Sequence, residues 1–235
     1  MNNPDKKAAF YQMLGELFPY FLHDLNNPLT ALQAYQFIYS SAEPDDELLS
    51  PANYTEIEEI TKKILEISAC GRLLVQATEV NYHQNLASNI NALIKLMQVK
   101  FRRILGHLQA DDFTFSANWA ISNQDILIFY YTVFEIFHQT IKDHPPQNQH
   151  EFKKEVVRLI NNPAQIIQLV ASPFFIPKKL LSITGSVDEI QFFQPEFLPP
   201  EKRNFIKLSQ NMCSENQIKL LFENRGGQCH LTFSI

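Results

Sequence analysis

Residues 21–32 read FLHDLNNPLTAL. The stretch sets His23 beside Asp24, brings Asn27 one helical turn later and then places Pro28 inside what the flanking pattern marks as a helix. Around it, Phe10, Leu14, Leu17, Phe21, Leu25, Leu32, Tyr35 and Tyr39 recur near heptad spacing, so residues 8–42 are expected to be helical. Pro19 lacks a donor and crowds the preceding turn, so a kink or restart is expected there. His23 lies about 200° around the helix from Phe21 and Leu25. It therefore faces away from the apolar seam, with Asn26, Asn27 and Thr30 nearby. Such a face is ordinarily just solvated. An exposed imidazole is also a nucleophile, and a neighbouring carboxylate can hold its tautomer.

Working outward, SSAEPDDELLSPAN (40–53) reads as a turn-rich connection, followed by a second helix over 54–79. Ile57, Ile60, Ile64, Ile67 and Leu74 form its seam. A lone hairpin of this length leaves apolar surface wet, and pairing with a second copy into a four-helix bundle is the expected remedy. Beyond residue 80 the pattern changes. A helix is expected over 86–108, a strand at DFTFSA (112–117), and an apolar helix over 123–143 capped by Ser122 or Asn123. EVVRLI (155–160) and AQIIQLVA (164–171) read as paired strands, and 201–213 as a helix. QIKLLFEN and QCHLTFSI flank Arg225-Gly226-Gly227 as a closing hairpin. The fold class expected is α+β: an N-terminal antiparallel helical hairpin over 1–80, then an α/β sandwich over 81–235.

The bulk composition narrows the function. The chain has 235 residues, 45% of them hydrophobic, with a net charge of −5. A packed core is expected, and nonspecific nucleic-acid binding, which needs a basic surface, is not. No apolar run reaches the ~18 residues of a membrane span, and MNNPDKKAAFYQMLGELF lacks the order of a signal peptide. Cys70, Cys213 and Cys229 are too widely spaced for a disulfide framework or a zinc site. A reducing cytoplasm is the expected location.

HDLNNPLTAL resembles the phosphoacceptor box of bacterial two-component sensor histidine kinases, His-Glu-x-x-Asn-Pro-Leu. The resemblance implies that His23 is phosphorylated, that Asp24 stands for the usual glutamate, and that Asn27 helps position water for dephosphorylating a partner. The later part is similar to the ATP-binding domain of those kinases without its chemistry. Glu135 and Gln139 fall where that domain's helix usually carries two asparagines. Glu135 keeps the ability to hold a metal, whereas Gln139 is one methylene too long. The strand that should end in an adenine-binding aspartate ends in Ala171-Ser172-Pro173, and between 151 and 225 the only glycine is Gly185. A phosphate cradle needs close approach of backbone amides, which bulky residues obstruct.

A kept phosphoacceptor and a lost nucleotide site resemble bacterial histidine phosphotransferases built like a degenerate kinase. The function this implies is relay of a phosphoryl group between receiver-domain aspartates through His23, as a homodimer. The partners would be response-regulator receivers, with a hybrid histidine kinase as a further candidate. No cofactor of its own is expected, and the receiver would supply Mg²⁺. Two alternatives stand beside it: a pseudokinase scaffold that binds a kinase or receiver without transfer, and an active but divergent kinase. The remaining histidines, His83, His107, His138, His144, His150 and His230, are scattered and read as structural or surface residues.

Overall fold

A computed structural model describes residues 4–41, 51–77, 97, 100–101, 122–143, 158–162, 165–172, 176–182 and 187–234. The helix expected over 86–108 and the strand expected over 112–117 lie almost wholly outside these residues; Met97 and Lys100 are helical. The described part is mixed helix and antiparallel sheet, an α+β arrangement.

The first helix, α1, spans Pro4–Ser41, and the second, α2, spans Pro51–Ala77. Three contacts give them an antiparallel course. Phe21 meets Gly71, Tyr35 donates to Glu56, and the rings of Tyr39 and Tyr54 stack at 5.8 Å. The predicted seam faces inward at Ile60, which is buried, and at Ile57, Ile64 and Ile67, which are half-buried; the side chain of Leu74 lies outside the described residues. Of the kink or restart expected at Pro19, the restart does not occur, since α1 is one continuous helix across both Pro19 and Pro28. Each proline removes one bond, to the carbonyls of Gly15 and Asp24 respectively. Pro19 is exposed and nothing crowds Gly15, so water can take the freed carbonyl.

Helix α3 (Asn123–Asp143) starts at Ser122, whose Oγ accepts the backbone N–H of Asp125 at 3.3 Å. Every residue from Ile126 to Phe137 is buried, the polar Thr132 and Glu135 included. Its buried Thr132 donates to the Ile128 carbonyl (2.7 Å) and accepts from Ser209 (3.0 Å). Strands β1 (Arg158–Asn162) and β2 (Gln165–Ala171) form the expected antiparallel pair. Short helices α4 (Lys178–Leu181) and α5 (Glu189–Phe192) follow, and Asp188 and Gln191 make a capping box at the start of α5. Two 3-10 turns, Pro195–Phe197 and Pro200–Lys202, lead into α6 (Arg203–Glu215), which buries Phe205, Ile206, Ser209, Met212 and Cys213 on one face.

Strands β3 (Lys219–Arg225) and β4 (Gln228–Ser234) close the chain as the expected hairpin. Gly226 and Gly227 have φ of 59° and 80°, the left-handed values that a two-residue hairpin turn requires. The sheet order is β1-β2-β4-β3, antiparallel throughout. Ile167, Leu169, Leu231 and Phe233 point from it into the core around α3 and α6. The start of α1 belongs to the same core: Ala9, Phe10, Met13 and Leu17 are buried there. The three cysteines form no disulfide and are buried, and burial pushes the Cys213 thiol up to about 12.

Candidate functional site

α1 presents His23 where the periodicity puts it. Phe21 and Leu25 turn inward and are half-buried, while His23 on the opposite side has 69% of its side chain exposed. Phe21 fixes the local depth of the helix. A Cβ on Gly71 would lie 2.9 Å from its Cζ, so the ring occupies the space a larger residue on α2 would need. Asp24 Oδ1 lies 3.6 Å from His23 Nδ1, an ion-pair distance rather than a hydrogen bond. The carboxylate therefore sits on the Nδ1 side, and Nε2 is the ring nitrogen away from it. Asn27, about 40° further round and one turn on, is also exposed, as are Asn26 and Thr30. Thr30 Oγ1 donates back to the Asn26 carbonyl at 2.9 Å. Because Pro28 has no N–H, the Asp24 carbonyl loses its helical donor within a residue of His23.

A second polar constellation lies two turns toward the N-terminus on this face. Glu16 Oε2 is 2.7 Å from Lys100 Nζ and 2.7 Å from Lys202 Nζ, and accepts from Tyr131. Glu135 Oε2 is 3.0 Å from Lys202 Nζ, and its Oε1 meets Lys100 Nζ. The two carboxylates and two ammoniums alternate in a ring. Lys100 Nζ also donates to the Tyr131 hydroxyl and lies 4.4 Å from the centroid of that ring. Glu135 is 3% exposed, so this is a buried network and not a surface decoration. Burial alone would raise the Glu16 carboxyl, but hydrogen bonds from Lys100, Lys202 and Tyr131 outweigh it and bring it from 4.5 to about 2. Desolvation lowers Lys202, and its bonds to Glu16 and the nearby Glu135 charge more than restore it, leaving it raised. Burial, then the charges of Glu135 and Glu16, hold the Tyr131 hydroxyl protonated far above its usual range.

By its place on the helix, Glu135 keeps the ability to hold a metal. Here both its oxygens face lysine ammoniums, which occupy the space a cation would take. No group of three or more His, Cys, Asp or Glu able to hold a metal occurs among the described residues. Glu16, Lys100, Tyr131 and Lys202 were not foreseen. The one signal was Tyr131 lying four residues before Glu135, which puts both on one side of α3. Ala171 ends β2 as expected and is buried, whereas Pro173 and Gly185 lie outside the described residues. No helix among the described residues is long and apolar enough to cross a membrane.

No protein-family model matches the chain, and no curated protein matches it in sequence.

Proposed function

We propose that this chain is a histidine phosphotransfer protein of a bacterial phosphorelay, acting in the cytoplasm and carrying a phosphoryl group between receiver-domain aspartates on His23. The observation that carries the reading is an exposed imidazole on a helix, with a carboxylate on its Nδ1 side and Nε2 directed away. The Nε2 lone pair attacks phosphorus of a receiver's aspartyl phosphate. The bond from phosphorus to the aspartate oxygen breaks, and the aspartate leaves as carboxylate. In the second half-reaction the next receiver's aspartate attacks phosphorus, and the P–N bond breaks to return His23. Such transition states are loose, so positioning and charge dominate. Asp24 offsets the charge that develops on the ring, and Asn27 stands beside the bound phosphoryl group to orient water. The receiver brings its own Mg²⁺.

Residues 1–80 would serve as the dimerisation and phosphotransfer hairpin, and residues 81–235 as a degenerate relative of a kinase ATP-binding domain. Dimerisation into a four-helix bundle has support in the apolar surface the hairpin leaves outside: Phe18, Leu22 and Leu29 on α1, and Tyr54 and Leu65 on α2, are exposed. The lysines around Glu135 support loss of nucleotide chemistry, because they neutralise the carboxylate that a Mg²⁺-bound nucleotide would need. The scaffold reading, binding without transfer, draws on the same exposed apolar surface. Incubation with phosphorylated receiver domains separates the two: transfer puts label on this chain, and a scaffold binds without acquiring it.

A further inference from the structure

The start of α1 is rooted in the α/β part of the molecule by more than apolar contact. Lys6 Nζ bonds Ser122 Oγ at 3.1 Å and Asp125 Oδ2 at 2.6 Å. Gln12 Nε2 donates to the Glu201 carbonyl at 3.1 Å. Glu16 then closes the ring with Lys100, Glu135 and Lys202. Glu16 precedes His23 by seven residues, which is ~20° short of two full turns and ~10.5 Å along the axis. A hand on Glu16 is therefore a hand on the rotation of the His23 face.

Ala9, Phe10, Met13 and Leu17, each at most 1% exposed, hold one side of α1 in the core. The charges add a directional constraint to that packing. Turning α1 by one residue withdraws the Glu16 carboxylate and leaves two largely buried ammoniums sharing Glu135. An uncompensated charge in a desolvated site is strongly disfavoured, and fixing register is the best attested use of buried polar groups.

We propose that this ring of four charges is an index that sets the axial and rotational position of the phosphoacceptor helix, with Glu16 a positioning residue for His23. The proposal rests on the reading of His23 as the acceptor. It also gives the α/β part a present role, that of holding α1 at one angle for a docking receiver.

The test uses the full chain with spin labels at exposed Gln33 on α1 and Lys219 on β3, diluted into excess unlabelled protein so that only distances within one chain are read. The parent is expected to give one distance distribution, Lys202→Arg to keep it, and Glu16→Gln to broaden or split it. Should Glu16→Gln not fold, Glu16→Asp, one methylene shorter, replaces it with the same expectation. In parallel, Glu16→Gln should slow transfer from a phosphorylated receiver by ~10-fold or more through kcat, since small misplacements cost that much. Labelling of His23 by phosphoramidate, a donor too small to need docking, should be unchanged. A parent-like distribution in the Glu16 variant overturns the index. A broadened distribution with parental transfer overturns the positioning role. If the parent takes no label from any receiver, the phosphotransfer reading fails instead, and the distance distributions still decide the index.

Discussion

Removing the carboxylate of Glu135 tests the energetics of the charge ring. Its Oε2 sits 3.0 Å from Lys202 and its Oε1 against Lys100, with 3% of the side chain exposed. Lys100 is itself 7% exposed, so water cannot replace the lost partner. Glu135→Ala takes the ring from neutral to one excess positive charge. Breaking a buried pair in this way costs ~3–5 kcal/mol, a large share of the ~5–15 kcal/mol that holds a typical domain together. In urea, with a dependence of ~3 kcal/mol per molar at the upper end of the usual range, the unfolding midpoint should fall by ~1–1.7 M. Circular dichroism at increasing urea reads this directly. The cause can be separated from lost packing. Glu135→Leu alone should be nearly as damaging, and adding Lys202→Met should recover at least half, because one charge of each sign has then gone and Glu16 still faces Lys100. The exposed Lys179–Glu196 pair, 3.7 Å apart, is the control. Lys179→Ala should change stability by less than ~0.5 kcal/mol. A loss below ~1 kcal/mol for Glu135→Ala, or no recovery in the double variant, would refute the account of the ring.

Acid should weaken the same ring. Glu16 is held from 4.5 down to about 2, so its contribution is complete above the unfolded value and is lost as pH falls from 4.5 toward 2. The full effect is ~3 kcal/mol, and the 26% of the side chain left in solvent reduces it to ~2 kcal/mol. Urea midpoints at about pH 6 and about pH 3 should separate more for the parent than for Glu16→Gln, and equal separations would contradict the assignment. On α2, Leu65 is 63% exposed, so Leu65→Glu should leave the fold intact and convert the proposed dimer to monomer in sedimentation. A persistent dimer would move the interface to another face. Gly71→Val drives a branched side chain against Phe21 and should cost ~1–3 kcal/mol in thermal unfolding. Adding Phe21→Leu should restore part of it, and absence of any rescue would discard the contact as the cause.

The elements with strong local signals were readable in the sequence. The 3.6-residue repeat marked α1 and α2 to within a few residues, the apolar run marked α3, and Gly226-Gly227 marked the final hairpin because only glycine accepts two successive positive φ values easily. His23, Asp24 and Asn27 were readable because they lie within five residues of one helix. Two features were not. Pro19 left both a kink and a restart open, and a helix anchored on both sides continues past the loss of one solvent-facing hydrogen bond. The charge ring draws Glu16, Lys100, Glu135 and Lys202 from four separate stretches, and no spacing rule connects them. The same assembly explains why Glu135, plausible as a cation ligand by its place in α3, is spent on lysines.

The most direct test of the central claim is to incubate the chain with a receiver domain carrying labelled aspartyl phosphate and to locate the label. The account predicts label on this chain that is labile in acid and stable in alkali, as a phosphohistidine is, and that maps to His23. His23→Gln should abolish it while circular dichroism and sedimentation stay those of the parent. Uptake by His23→Gln as fast as by the parent would contradict phosphotransfer through His23.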